Sequence, residues 1–177
     1  MLAEMSDHWI ELGDGVRAVV DAADRELVAG FVWKLTAQGY VAAMRGQMFL
    51  FLHRLIAGAG PDQRVDHENG DPLDNRTSNL RFASKAQNRA NAGPNRKRGR
   101  TSRYKGVSIK SRNGVHNRWV SHIHIDGRTR YLGAFGTEAE AADAYDRAAE
   151  AAWGEFARLN NASAEGGSVV AGEPAAR

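Results

Sequence analysis

The stretch Val65–Leu80, VDHENGDPLDNRTSNL, decides how the rest of the chain is read. It is too polar for a core and too orderly in its residue types for filler. An acid and a histidine stand side by side at Asp66 and His67, and a loop rich in Asn, Asp and Gly follows. Arg64–His67 reads as a short strand, and LRFAS at Leu80–Ser84 as a second one. Ser84-x-x-Gln87 matches a capping box that opens a helix toward Asn91. The local order is strand, long loop, strand, helix.

Side chains alternate along a strand, so an adjacent Asp and His either point to different faces or bend into one site at the strand end. Asn88 falls about one turn into the capped helix. Asp66 and Asn88 offer hard oxygen donors to a single cation, and Mg²⁺ commonly takes few protein ligands, completing its shell with water and phosphate oxygens. His67 is then free to act as general base toward water. Asn79 is placed to hydrogen-bond the loop backbone and hold the histidine. In outline this is metal-assisted phosphodiester hydrolysis. Taken alone, Asp66–His67 also reads as a hydrogen-bonded pair beside a turn. Asn69, Asp71, Asp74 and Asn75 read as Asx-turns in a solvated loop. An EF-hand is a poor match, because the ligand spacing, the central Gly and the terminal Glu are missing. His53 reads either as a helper near the phosphate or as a packing histidine.

Asp66, His67, then Asn79 and Asn88 in this order and spacing resemble the HNH (ββα-metal) endonuclease motif. The framing residues HRLI…VDHENGDPLDNRTSNLRFAS…QN resemble the phage-type homing branch, over about Leu52–Asn91. The resemblance implies His67 as general base, and Asp66 and Asn88 as ligands of one divalent cation, usually Mg²⁺, with Mn²⁺ as an alternative. It implies Asn79 as organiser of the loop and the histidine, and a structural role for Asn75. An Asn rather than a His at the last position favours Mg²⁺ over zinc. Residues 8–50 resemble the segment that often precedes such motifs.

Residues 8–52 read as short strands, at Val16–Asp21, Gly30–Thr36, Gly39–Arg45 and Gln47–Leu52, with a short helix between the first two. LHRLIAG, from Leu52, reads as a short amphipathic helix. The whole chain has 177 residues and is mildly basic, with Lys+Arg 24 against Asp+Glu 21. The bases are concentrated: from Arg96 to Arg130 only Asp126 opposes them. A polyanion fits that asymmetry, and nucleic acid is the first choice. Cysteine is absent, which excludes disulfides, thiol nucleophiles and Cys-based zinc sites. No signal peptide is read at the start, and no apolar run approaches the roughly 18 residues of a bilayer span. The expectation is an intracellular, cytoplasmic protein with no membrane association and no protein partner implied.

Beyond the basic linker at 93–102, three strand-like runs, YKGVSIK, RWVSHIHI and TRYLGAF, are separated by turns at Asn113–Gly114 and Asp126–Gly127. A capping box at Thr137-x-x-Glu140 opens a helix over Glu138–Trp153, with Ala141, Ala144, Tyr145, Ala148 and Ala152 assigned to one face. Alternation assigns Val107, Ile109, Trp119, Ile123, Ile125 and Leu132 to the helix side. It leaves Lys105, Lys110, Arg112, His122, His124, Arg128 and Tyr131 as candidates for phosphate and base edges. Over Ser102–Asn160 the runs resemble the APETALA/ethylene-response-factor DNA-binding domain. That resemblance implies a three-stranded antiparallel sheet in the major groove backed by the helix. Its contacting positions fall on Lys105, Ser108 and Lys110 in the first strand, His122 and His124 in the second, and Thr129 and Tyr131 in the third. Several family arginines are replaced here, so fewer bidentate guanine contacts are implied.

The expected fold class is α+β. The expected division is an N-terminal β-rich segment at 1–52, a ββα-metal nuclease module at 53–92, the linker at 93–102, a DNA-binding domain at 103–160 and a disordered tail at 161–177. The expected function is a site-selective DNA endonuclease of homing type, a metal-dependent phosphodiester hydrolase. It would use one divalent ion and a histidine base, positioned on double-stranded DNA by the C-terminal domain. The alternative is a non-catalytic, sequence-specific DNA-binding regulator.

Overall fold

The structure is a computed structural model, and it describes residues 7–94, 101–110 and 118–161. Linker residues 95–100, Arg112, the Asn113–Gly114 turn and residues 162–177 lie outside the described residues. The chain divides into two compact units, Met1–Ala92 and Gly93–Arg177. Small antiparallel sheets and short helices make the class α+β, as expected.

The first unit opens with a hairpin, β1 (Asp7–Gly13) paired with β2 (Val16–Asp21). β1 is an element the sequence reading did not name. A short 3-10 turn and α1 (Arg25–Val28) follow. The strand expected over Gly30–Thr36 contracts to β3 (Lys34–Leu35). The reason is Trp33, whose indole turns inward and donates from Nε1 to the Val28 carbonyl at 3.0 Å, which takes that segment out of the sheet. β4 (Val41–Arg45) lies between β3 and β5 (Met48–Phe51), and α2 (Leu52–Ile56) leaves β5 directly.

One core joins these pieces: Ile10, Ala18, Val20, Val28, Trp33, Val41, Ala43 and Leu52 are buried together. Leu73, from the middle of the Asn-rich loop, packs against it. Full burial of a side chain such as Leu52, at 0% exposure, stabilises by about 1.5–3 kcal/mol. The loop is also tied to the hairpin by backbone hydrogen bonds, Val19 N–H to Leu73 O at 2.9 Å and Asn75 N–H to Val19 O at 2.8 Å. The first 52 residues and the Asp–His loop therefore share both apolar packing and a β-bridge.

The strand–loop–strand–helix order forms. β6 (Val65–His67) pairs antiparallel with β7 (Leu80–Phe82), and α3 (Lys85–Asn91) follows. The capping box at Ser84 and Gln87 is closed in both directions, at 3.2 and 2.8 Å. Within the loop, Thr77–Asn79 winds into a 3-10 turn.

In the second unit β8 (Val107–Lys110), β9 (Arg118–Ile125) and β10 (Arg128–Phe135) form a sheet with β9 in the centre. The Asp126–Gly127 turn has positive φ at both residues, 50° and 74°, as a tight two-residue hairpin requires. α4 (Glu138–Trp153) is capped by the Thr137 box and lies on the sheet. Val107 and Ile123 are buried beneath it, with Trp119, Ile125 and Leu132 packed alongside, as alternation required. The buried helix stripe is displaced from the expected one. It includes Ala142 and Ala149, while Ala152 is exposed, because the i, i+4 row through Tyr145 and Ala149 continues to Trp153. Gly106 is required where it stands: at φ 75°, a Cβ there would strike the Tyr145 ring and the His122 carbonyl oxygen. Among the described residues no helix is long and apolar enough to cross a membrane.

Candidate active site

β6 holds Asp66 and His67 with 6% and 5% exposure, and the two side chains have separate partners. The register sets Arg81 directly across from Asp66. Arg81 donates from Nε and Nη2 to Asp66 Oδ2, each at 3.3 Å. Asn91 Nδ2 donates to the same oxygen at 2.9 Å, and also to the carbonyls of His67 at 2.7 Å and Glu68 at 3.2 Å. Asn91 thus ties α3 to both residues of the Asp–His pair. Sequence reading stopped at Asn88. The available signal was the three-residue spacing, which places Asn88 and Asn91 on one helix face.

His67 turns instead to the loop and to α2. Its Nε2 meets Asn75 Oδ1 at 3.2 Å, and Asn75 is fully buried. The His53 ring lies 5.1 Å from the His67 ring, centre to centre, and the Tyr40 ring lies 6.3 Å away. His53 packs against Tyr40 and Phe51 as well, so it forms part of an aromatic wall over the imidazole. Asn79 is placed differently from Asn75. Its Oδ1 accepts from Asn69 N–H at 3.0 Å and its Nδ2 donates to Asp74 O at 2.7 Å, so its side chain organises the loop backbone and Asn75 meets the imidazole. Asp74 anchors the same loop, binding Arg76 through both carboxylate oxygens at 2.8 and 2.7 Å and accepting from Asn69 at 2.9 Å. The Asx-turns expected of this loop form at Asn69, Asp71 and Asp74, whose side chains accept from the backbone N–H of Asp71, Leu73 and Arg76 at 2.8, 2.9 and 3.4 Å, while Asp74 and Asn75 are buried where a solvated loop was expected.

Burial dominates the electrostatics. It pushes the Asp66 carboxyl above its ordinary range, against the opposing pull of Asn91 and Arg81. It lowers His67, against the Asn75 hydrogen bond and the Asp66, Asp71 and Asp74 charges. His53 is pushed down to about 4 by burial first, then by the charges of His67 and Arg54. Both imidazoles are therefore held toward the neutral form, the form a proton acceptor needs.

The donor set suits a hard cation. The described hydrogen bonds from Arg81 and Asn91 converge on Asp66 Oδ2. Asn88 shares its helix face with Asn91, the residue that reaches Asp66. Among the described residues no group of three or more His, Asp and Glu could hold a metal ion. A cation here would rest on one carboxylate, an amide oxygen, water and phosphate, a pattern Mg²⁺ accepts.

In the second unit the register sorts the candidate DNA contacts. His122 pairs with Tyr131 and His124 with Thr129, on the face away from α4, and His124 Nδ1 lies 3.2 Å from Thr129 Oγ1. Ser108 pairs with Val120 and Lys110 with Arg118 on that same face, which adds Arg118 to the set. Lys105 does not lie in the first strand but in the turn before β8, where its backbone N–H bonds Asn160 Oδ1 at 2.6 Å. Arg128 pairs with Ile125, so it belongs to the helix side of the sheet, at its exposed end.

A buried Asp–His strand, a partner strand and a helix that closes on the pair define the arrangement of a ββα-type nuclease site. The comparisons agree. A family profile described as HNH endonuclease matches residues 51–90. An uncharacterized HNH endonuclease of Acanthamoeba polyphaga mimivirus is 32% identical over 153 residues, 84% of this chain and 76% of that protein. The chain belongs to the HNH endonuclease family, and its broad class is that of a DNA nuclease. It is also similar to the APETALA2-like protein 2 of Oryza sativa, 52% identical over 52 residues, 29% of this chain and 11% of that protein. An AP2-like ethylene-responsive transcription factor of Arabidopsis thaliana is 50% identical over 52 residues, 10% of its length. No solved structure gives a significant match.

Proposed function

We propose that the protein is a site-selective DNA endonuclease of homing type, in which His67 is the general base, Asp66 and Asn88 hold one divalent cation, and the C-terminal sheet positions the nuclease unit on duplex DNA. The observation that carries this reading is the buried Asp66–His67 strand, closed by a helix whose Asn91 reaches both residues. Mg²⁺ or Mn²⁺ bound there would supply positive charge to the scissile phosphate and the departing oxygen. Neutral His67 takes the proton of the attacking water as the water oxygen bonds to phosphorus and the P–O bond opposite breaks. Arg81 and Asn91 hold the Asp66 carboxylate in one orientation.

Ser108, Lys110, Arg118, His122, His124, Thr129 and Tyr131 share one face of the second unit's sheet, and the short likeness to plant APETALA2-like proteins supports a DNA-reading role for it. Lys105, in the adjoining turn, is proposed as a phosphate contact. The test uses purified protein and supercoiled plasmid, with and without Mg²⁺. His67→Ala is expected to lose cleavage and keep binding, while Lys110→Ala with Arg118→Ala is expected to weaken binding and reduce its salt dependence. Full cleavage by His67→Ala would overturn the mechanism.

A further inference from the structure

We propose that Asn75 sets the tautomer of His67, so that Nδ1 is the atom that receives the proton; this rests on the reading of His67 as the general base. Asn75 is fully buried, and three hydrogen bonds fix it. Its backbone N–H donates to Val19 O at 2.8 Å, which locks the residue to β2. Its side-chain Nδ2 donates to the Pro72 carbonyl at 3.1 Å, and its Oδ1 lies 3.2 Å from His67 Nε2.

The order of these contacts decides the chemistry. A carbonyl oxygen only accepts, so the group facing Pro72 O is the amide NH₂. The group facing His67 is then the amide oxygen, which also only accepts. His67 Nε2 must supply the proton of that bond. In a neutral imidazole one nitrogen carries hydrogen and the other carries the lone pair, so Nδ1 is the basic atom. Nδ1 has no hydrogen-bond partner among the described contacts. In this proposal the attacking water stands at Nδ1.

Asn75 is in this sense a positioning residue. The β1–β2 hairpin enters the site through it, since Val19 holds Asn75 and Asn75 holds the imidazole. That gives the N-terminal hairpin a part in the chemistry as well as in the core.

The test begins with the wild-type chain, ¹⁵N-labelled at histidine. Long-range ¹H–¹⁵N correlations at mildly alkaline pH report which ring nitrogen of His67 is protonated, with the resonance assigned by comparison with His67→Gln. Protonation at Nε2 is expected, and protonation at Nδ1 overturns the proposal whatever any variant does. In Asn75→Ala the ring is expected to populate both tautomers. Plasmid cleavage should then lose about 10- to 100-fold in kcat, part of the roughly 10²- to 10⁴-fold that a general base supplies, with KM for DNA unchanged. Asn75→Asp keeps an acceptor facing Nε2 and should keep the Nε2–H tautomer; if it instead shows the same mixture as Asn75→Ala, the assignment fails. Full cleavage by His67→Ala, with the wild-type tautomer as expected, would remove the base reading and leave the tautomer assignment standing, so the two failures are distinguishable.

Discussion

Asn88 and Asn91 sit three residues apart on α3 and should respond oppositely to truncation. Asn91 is 6% exposed and donates to three acceptors, one of them the Asp66 carboxylate. A hydrogen bond to a charged group contributes about 1.5–3 kcal/mol and a neutral one about 1. Truncation to Ala does not leave all three acceptors bare, since Asp66 Oδ2 keeps Arg81 and His67 O keeps the Gly70 N–H at 2.9 Å. Ala also has the better helix propensity, by a few tenths of a kcal/mol. The net expectation for Asn91→Ala is a loss of about 2–3 kcal/mol, close to two powers of ten in the folding constant of the first unit. Asn88 is half-buried and its described hydrogen bonds are those of the helix backbone, so Asn88→Ala should cost less than about 1 kcal/mol. Its effect should appear instead in cation affinity and cleavage. Urea unfolding with hydrogen-exchange mass spectrometry reads the two units separately, and calorimetric titration with Mg²⁺ or Mn²⁺ reads the site. If Asn91→Ala shifts stability by less than about 1 kcal/mol while Asn88→Ala matches or exceeds it, the roles assigned to the two amides are reversed.

Other perturbations follow from the same contacts. His53 has its folded pKa near 4, below the unfolded value of about 6.5, so its contribution to stability is complete above about pH 6.5 and is lost as pH falls toward 4. His67, lowered in the same direction, adds to that slope. In His53→Phe, Tm plotted against pH should be shallower across this window, and an unchanged slope would refute the assignment. Gly106→Ala should destabilise the second unit by about 3 kcal/mol, combining positive-φ strain with overlap on Tyr145; an unaltered Tm counts against that packing. Ser121 Oγ is buried without a partner, so Ser121→Ala should stabilise by about 1 kcal/mol and raise Tm by a few degrees. A lower Tm would mean that the hydroxyl has a partner after all.

Local patterns carried much of the architecture. The capping boxes at Ser84 and Thr137 placed both principal helices, because a cap is a contact between residues three apart and is written in the chain. The Asp126–Gly127 turn and the alternation of β9 fixed the second unit's hairpin and its inner face for the same reason. Where local pattern failed, a distant contact had overruled it. Trp33 pulls its segment out of the expected strand toward Val28, and the position of Trp153 against the sheet rotates the buried stripe of α4 away from Ala152. Arg128 looked like a reading-face residue from its charge, and only the pairing with Ile125 assigned it to the other side.

The Asp–His loop shows the same division. Residue types, their spacing and the family resemblance named Asp66, His67, Asn79 and Asn88 as candidates for one constellation, because such chemistry needs an acid, a base and amide oxygens along strand, loop and helix. Which amide touches which group was decided by the tertiary fold. Asn75 reaches His67 because β2, more than fifty residues earlier in the chain, grips its backbone at Val19. Asn91 reaches Asp66 because the β6–β7 register and the capped helix together aim it there. An amide side chain has the same hydrogen-bonding groups wherever it stands, so its sequence position names the candidates and its partner is fixed only by the long-range packing that brings one within about 3 Å.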